Sequence, residues 1–171
     1  KNISIKKDIN LNLISDQDKG IKLISHRYVG EKQILKISFN NKKYKIILNL
    51  IGKIQTKNVL MAILAANKSD LEFKKILRVI HKLKPVEGRL EKIGTIKNNS
   101  KVILDYAHTP AALKLSLLSL KEQFPRSKIS LVFGCGGERD FKKRSLMGKI
   151  ADKYSDKIYI TDDNPRNEKP S

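Results

Sequence analysis

The chain has 171 residues, 40% of them hydrophobic, which is enough to bury the core of a globular protein. Its formal charge of +19 is typical of proteins that bind nucleic acid, but its Lys residues are spread along the whole length and no segment interleaves basic with aromatic residues. We therefore interpret the charge as a Lys-rich solvated surface and expect no nucleic-acid partner.

The first half of the sequence predicts antiparallel strands followed by two helices. Alternating apolar residues on both sides of Asn40-Asn41 indicate a hairpin within residues 21–50 that has one solvated face. The nearly all-apolar run after Gln55 predicts a buried helix. The sequence Ser-Asp-Leu-Glu at 69–72 is a capping box and predicts the start of a second helix.

The second half alternates between strand and helix patterns. Pro85 and Gly88 interrupt the chain, and we place a domain boundary there, between residues 1–84 and 85–171. Beyond it the patterns predict strands at 102–104, 129–133 and 158–160, with helices at 110–124 and 144–154 between them. This order predicts an α/β fold with a doubly wound sheet of parallel strands.

Three polar loops follow the three predicted strands, at residues 105–109, 134–140 and 162–166. Ligands of open α/β sheets bind at the carboxyl ends of the strands, so we expect these loops to converge on one ligand. The last loop offers a carboxylate, an amide and a guanidinium, a set that suits a zwitterionic amino acid. A plain strand-to-loop turn is the alternative interpretation.

The glycine-rich loop at 134–137 can present backbone N–H groups to an anion, with Arg139 just beyond it. No dinucleotide or Walker fingerprint is present, so a phosphate cradle for ATP is expected elsewhere. Cys135 is the single cysteine, which excludes an internal disulfide, and such a residue is more often small and buried than nucleophilic. In the first loop, His108 either contacts a reacting group or is simply exposed.

Four motifs in this order and spacing resemble the Mur ligases, in the form that adds diaminopimelate during peptidoglycan synthesis. They are Gly-Arg-Leu-Glu at 88–91, Asp-Tyr-Ala-His-Thr-Pro at 105–110, Phe-Gly-Cys-Gly-Gly-Glu-Arg-Asp at 133–140 and Thr-Asp-Asp-Asn-Pro-Arg at 161–166. The resemblance implies that residues 1–84 end a central ATPase domain and that residues 85–171 begin a Rossmann-like domain that binds the amino acid. The P-loop and the UDP-binding domain would then lie upstream, and we expect the chain to be a fragment that is inactive alone.

The resemblance also implies roles for individual residues. Diaminopimelate binding is expected at Arg139, Asp163, Asn164, Pro165 and Arg166. Nucleotide binding is expected at Asn58, Arg89 and Asp105, and a catalytic role at His108. Gln55 stands where many family members have Asn.

The activity implied by the resemblance is ATP-dependent addition of meso-diaminopimelate to UDP-N-acetylmuramoyl-L-alanyl-D-glutamate through an acyl phosphate. ATP and Mg²⁺ are the expected cofactors, and the expected partners are these small molecules alone. We expect a cytoplasmic monomer without membrane contact, since no apolar stretch approaches the roughly 20 residues that span a bilayer. The alternatives are a lysine-adding or other Mur-family ligase, an enzyme like folylpolyglutamate synthetase, and a basic nucleic-acid-binding module.

Overall fold

The computed structural model describes residues 20–169, and its first half is an antiparallel sheet packed against two helices. Strands β1 (Lys22–Val29), β2 (Lys32–Phe39) and β3 (Lys42–Leu48) pair in that order. Helices α1 (Lys53–Lys68) and α2 (Phe73–Val79) follow, and a short 3₁₀ turn at Ile80–Lys82 ends this half. The predicted hairpin is confirmed: Asn40 and Asn41 make its turn with φ of 47° and 58°, the left-handed region that such turns require.

One apolar core joins the sheet to both helices. Inward-facing residues of β2, such as Leu35 and Ile37, pack with Leu60 and Ile63 of α1, and all four are almost fully buried. The outward positions of β2 and β3 alternate with these and carry much of the Lys. The sequence prediction of a sheet with one solvated face is therefore confirmed.

The capping box predicted at Ser69 does not form. Helix α2 begins at Phe73 after Glu72, whose side chain makes no capping hydrogen bond. Ser69 Oγ instead donates to the Ala65 carbonyl at 3.1 Å. The last carbonyls of α1 lie within reach of this hydroxyl, so the serine closes the first helix and does not open the second.

The second half contains an antiparallel hairpin and a parallel βαβ unit. Strands β4 (Glu91–Ile96) and β5 (Ser100–Leu104) pair across a 3₁₀ turn at Lys97–Asn99. Helix α3 (Pro110–Gln123), strand β6 (Ser130–Phe133), helix α4 (Lys142–Tyr154) and strand β7 (Lys157–Ile160) follow. Strands β6 and β7 pair in parallel, so the α/β class is confirmed.

The predicted row of three parallel strands is wrong for β5. Within residues 20–169, β5 is hydrogen-bonded to β4 and not to β6. A three-residue turn brings the chain straight back on itself, so one edge of β5 pairs antiparallel with β4, and its other edge forms no ladder with β6. Strand β4 was not predicted, since Gly94 and the polar residues around it hide its alternating pattern.

A second core lies between α3 and α4. Leu113 and Leu117 of α3 pack with Met147 of α4, beneath β6. Helix α3 starts as predicted, with Pro110 at its first position and Thr109 Oγ1 accepting a hydrogen bond from the Ala112 N–H at 3.2 Å. None of the helices between residues 20 and 169 combines the length and apolar character needed to cross a bilayer.

Gly52, just before α1, is a point of close contact between the two halves of the described chain. Its φ is +90°, and a Cβ added there would collide with Cδ1 of Leu90, a buried residue of the second half. Its N–H donates to Gln123 Oε1 at 2.9 Å, and its carbonyl accepts from Gln33 Nε2 at 3.0 Å. The boundary at residues 84 and 85 stays a prediction, but the two buried cores lie on either side of it.

We expect Gly52→Ala to lower the free energy of unfolding by more than Gly30→Ala does. Both glycines have positive φ, so either substitution costs roughly 1–2 kcal/mol of backbone strain. Only Gly52 adds a clash, since nothing lies within 4 Å of a Cβ built on Gly30. Overpacking against buried Leu90 should cost about 1–3 kcal/mol more. Urea unfolding of the two variants measures the difference, and equal losses would contradict this account of the junction.

Candidate functional site

Two clefts contain most of the residues singled out from the sequence. We call the first the α1–α3 cleft; it has a volume of about 380 Å³ and lies between α1, α3 and the segment before β4. Its lining includes Gln55, Asn58, Arg89, Asp105, Leu115 and Ser116. The three residues expected to bind nucleotide therefore lie together, although they are far apart in sequence.

Asp105 is already engaged by the protein on both carboxylate oxygens. Its Oδ2 accepts a hydrogen bond from the Leu90 N–H at 2.8 Å, and its Oδ1 accepts one from Ser116 Oγ at 3.0 Å. Leu90 has a φ of +48°, an unfavourable conformation that this hydrogen bond helps to hold. Asp105 thus ties α3 to the segment that carries Arg89.

Arg89 and His108 both lie beside an exposed tyrosine, Tyr106. The Arg89 guanidinium is 5.4 Å from the centre of the Tyr106 ring, within the range of a cation–π contact, and the His108 ring lies 5.1 Å from it on a tilted plane. His108 is exposed, with Nδ1 3.2 Å from the Tyr106 carbonyl. Among the described residues its ring makes no hydrogen bond or ion pair with an acidic side chain, and its catalytic role stays a prediction.

The second cleft, which we call the β6–β7 cleft, opens at the carboxyl ends of the parallel strands, as predicted for an open α/β sheet. It has a volume of about 270 Å³. Its lining includes Gly134, Gly137, Arg144, Asp163, Pro165 and Glu168. Two of the five residues expected to bind diaminopimelate, Asp163 and Pro165, are in this lining.

Two glycines allow the loops of this cleft to pack backbone against backbone. A Cβ on Gly134 would collide with the Thr161 carbonyl oxygen, and one on Gly137 would collide with the Pro165 carbonyl oxygen. The Gly137 N–H donates to the Asn164 carbonyl at 2.9 Å, and Arg166 Nη1 donates to the Gly137 carbonyl. The backbone of the loop at 134–137 therefore restricts the conformation of the loop at 162–166.

Asp163 and Arg166 both approach Gly136. The position that a Gly136 Cβ would take lies 3.5 Å from Arg166 Nη1 and 3.9 Å from Asp163 Oδ2. The Asp163 carboxylate and the Arg166 guanidinium thus both lie near Gly136. A zwitterion is recognised by such a set, because the carboxylate attracts its ammonium group and the guanidinium attracts its carboxylate. Arg139, in contrast, is exposed and does not line the described cleft.

Arg144 and Glu168 form an ion pair that sequence reasoning missed. Arg144 Nη2 donates to Glu168 Oε1 at 2.8 Å and to the Gly136 carbonyl at 3.3 Å, and the same Glu168 oxygen accepts from the Glu138 N–H. The pair therefore joins the start of α4 to both loops of the β6–β7 cleft. Nothing in the sequence singles out Glu168, because its partner is 24 positions away.

Cys135 has a structural position. Its side chain is half-buried against the second core, with Sγ 3.7 Å from Met147 Sδ. This matches the interpretation of the cysteine as a small core residue.

The comparisons with known proteins decide the family. Residues 88–171 match the model described as "Mur ligase, glutamate ligase domain". Over 166 residues the chain is 41% identical to the UDP-N-acetylmuramoyl-L-alanyl-D-glutamate–2,6-diaminopimelate ligase of Rickettsia felis, an alignment that covers 90% of this chain and 31% of that protein. The chain belongs to the Mur ligase family. It spans about a third of the length of the curated Mur ligases that it matches.

Solved structures agree with this assignment. A diaminopimelate ligase of the same description superimposes with a TM-score of 0.63 at 28% identity, covering 90% of this chain and 31% of that one. A folylpolyglutamate synthetase from Lactobacillus casei gives a TM-score of 0.61 at 19% identity, covering 88% and 36%. The second likeness shows only that the two proteins share a fold.

We expect Glu168→Gln to reduce stability near neutral pH and to have no effect in acid. The hydrogen bond from Arg144, and then the one from the Glu138 N–H, hold the Glu168 pKa below its ordinary 4.5. A carboxylate whose pKa is lower in the folded state stabilises the protein above the unfolded pKa, and this contribution is lost as the pH falls through the folded pKa. Urea unfolding at a series of pH values from neutral to about pH 3 measures the gap between wild type and variant.

The control is Asp152→Asn, which removes an exposed carboxylate from α4 away from both loops. Its free-energy difference from wild type should stay small across the same range. A gap for Glu168→Gln that persists unchanged below pH 4.5 would show that the ion pair is not its source.

Proposed function

We propose that this chain is part of an ATP-dependent ligase that joins meso-diaminopimelate to UDP-N-acetylmuramoyl-L-alanyl-D-glutamate in peptidoglycan synthesis. The observation that carries the proposal is the approach of both Asp163 and Arg166 to Gly136, in a chain 41% identical to a diaminopimelate ligase. In this proposal residues 1–84 belong to a central ATPase domain and residues 85–171 to the domain that binds the amino acid.

The β6–β7 cleft would bind the amino acid. Diaminopimelate differs from lysine by a second carboxylate, and a guanidinium is the natural partner of such a group because it donates two parallel hydrogen bonds. Arg166 uses Nη1 to hold the Gly137 carbonyl, which fixes the plane of the guanidinium and leaves its other nitrogens for a ligand. Asp163 would hold the ammonium group, with Asn164 and Pro165 setting the path of the loop.

Two further arginines lie near the proposed ligand. Arg144 lines the cleft, but its Nη2 is already paired with Glu168 at 2.8 Å and its Nε is buried away from the cleft opening. Arg139 would contact the ligand only after its exposed loop moves inward. We therefore assign the second carboxylate first to Arg166.

The α1–α3 cleft would bind part of the nucleotide. Asn58 offers an amide, Arg89 a positive charge for phosphate, and Asp105 spare lone pairs for a ribose hydroxyl. No group of three His, Cys, Asp or Glu residues within 20–169 is arranged to hold a metal ion, so Mg²⁺ would be held mainly by residues other than these. In this reaction Mg²⁺ would neutralise charge on the ATP phosphates.

The proposed reaction has two steps. The γ-phosphoryl group of ATP moves to the D-glutamate carboxylate, and the diaminopimelate amine then attacks the resulting acyl phosphate and displaces phosphate. Arg89 would stabilise charge in the first step, and the loops of the β6–β7 cleft would orient the amine in the second. His108 lies beside Tyr106 at the edge of the α1–α3 cleft, and we propose a place near the reacting centre for it. ATP and a UDP-linked substrate fit a cytoplasmic enzyme, which we propose acts as a monomer.

The test is a chimaera in which this chain replaces the matching third of the Rickettsia felis relative. We expect ATP-dependent ligation of diaminopimelate by the chimaera and none by the isolated chain. Arg166→Ala should lower kcat/KM for diaminopimelate by ~30-fold or more, the equivalent of about 2 kcal/mol for a lost charge-assisted contact. Coupled ADP release measures each rate.

The matched control is Arg126→Ala, which removes an exposed guanidinium from the turn after α3, outside both clefts. It should leave kcat/KM unchanged. Lysine serves as the competing substrate: if Arg166→Ala leaves the preference for diaminopimelate over lysine unaltered, Arg166 does not select the amino acid, and if the unaltered chimaera prefers lysine, a lysine-adding or other Mur ligase becomes the better assignment.

A further inference from the structure

Four polar side chains are buried in the described chain, and all four surround Gly52. They are Gln33, Thr56, Ser119 and Gln123, with exposed fractions of 0%, 0%, 8% and 4%. Gln33 and Thr56 come from the first half of the chain, and Ser119 and Gln123 come from α3 in the second. A buried polar cluster at a junction between two halves needs an explanation, because each group costs free energy unless it is paired.

On the side of the first half, Gln33 fixes the backbone that leads into α1. Its Nε2 donates to the carbonyls of Leu50 and Gly52 at 2.7 and 3.0 Å, and its Oε1 accepts from Thr56 Oγ1 at 3.0 Å. These hydrogen bonds join β2 to the first turn of α1. They do not involve the second half of the chain.

On the other side, Gln123 is the last residue of α3 and bonds across the junction with both ends of its amide. Its Oε1 accepts from the Gly52 N–H at 2.9 Å, and its Nε2 donates to the Gly30 carbonyl at 3.2 Å. Ser119, one turn earlier, lies 3.4 Å from the position that a Cβ on Gly52 would take. The carboxyl end of α3 is therefore fastened to the amino end of α1.

The other polar contacts across the junction are weaker. Lys92 and Lys101 pair with Glu31 at 2.8 and 3.9 Å, Tyr28 donates to Glu122 at 3.4 Å, and Gln55 Nε2 donates to the Arg89 carbonyl at 3.2 Å, but these lie at the surface. Exposed ion pairs contribute about 0–1 kcal/mol, whereas leaving a buried amide partner unsatisfied costs about 1–3 kcal/mol. Because its hydrogen bonds are directional, the Gln123 amide also holds α3 at one angle, which the apolar contact of Leu90 alone would not do.

The same two helices form the walls of the α1–α3 cleft. Gln55 and Asn58 lie one and two turns beyond Gly52 on α1, and Ser116 lies two turns before Gln123 on α3. A small change in the angle between α1 and α3 at Gly52 therefore produces a larger change in the distance between the two cleft walls farther along the helices. We propose that Gln123 is a positioning residue that sets the width of the α1–α3 cleft by locking α3 against the start of α1.

That the cleft width affects nucleotide binding rests on the proposed function. That Gln123 holds α3 at a fixed angle to α1 does not, and it can be tested by itself. Spin labels at Lys68→Cys, at the end of α1, and Lys149→Cys, on α4, report the distance between the halves in a Cys135→Ala background. Helix α4 shares its core with α3 and so moves with it. We expect Gln123→Leu to lengthen and broaden the distance distribution measured by double electron–electron resonance.

Two further variants keep the test decisive. Gln123→Glu retains the acceptor for the Gly52 N–H but turns the donor toward Gly30 into an acceptor, so its distribution should fall between wild type and Gln123→Leu. Lys121→Ala changes an exposed residue two positions away and should leave the distribution unaltered. If Gln123→Leu is folded by circular dichroism and gives the wild-type distribution, or if it fails to fold and Gln123→Glu gives that distribution, the proposal is wrong.

Titration with ATP separates this proposal from the assignment of the nucleotide. The Asn58 side-chain amide signal is followed by NMR in the chimaera that carries the wild-type chain and in the chimaera that carries Gln123→Leu, so that the rest of the ATP site is present. If Gln123→Leu changes the spin-label distances and the wild-type Asn58 signal does not respond to ATP, the positioning role of Gln123 is supported and the nucleotide assignment fails. If the wild-type Asn58 signal responds to ATP and Gln123→Leu leaves the spin-label distances unchanged, the positioning role of Gln123 is wrong and the proposed function is supported.

Discussion

The structure depends on the absence of a side chain at Gly52. Because no Cβ is present, Leu90 of the second half packs directly against the backbone that leads into α1, and the peptide groups on either side are left open to two buried glutamines. Any other residue would push Leu90 away and separate the helices that flank the first cleft. The placement of Asn58 opposite Asp105 thus begins with a backbone conformation outside the cleft itself.

The same principle shapes the second cleft. Gly134 and Gly137 let two loops touch through their backbones, so the loop at 162–166 has little freedom of its own. The ion pair of Arg144 with Glu168 closes this arrangement from the side of α4. A ligand that enters therefore meets charges already held in position and loses less conformational entropy on binding.

The sequence predicted those features that depend on short-range chemistry. The turn at Asn40-Asn41, the start of α3 at Pro110 and the parallel β6–β7 unit all follow from local residue preferences and periodicity. The motifs also led to the residues that line the α1–α3 cleft. Two predictions failed: Ser69 was able to cap either of two helices, and the local pattern of β5 did not show which strands would lie at its two edges. Gln123 and Glu168 were missed because their partners lie 71 and 24 positions away, where no local pattern reaches.

Asp105 gives the first cleft a property that its position alone does not suggest. One carboxylate holds both the backbone beside Arg89 and a hydroxyl of α3, and each of its oxygens still has a free lone pair. A hydroxyl group arriving from a ligand would share this carboxylate with the peptide that carries the arginine. A ligand bound at Asp105 would then alter the position of Arg89, without any large movement of the chain.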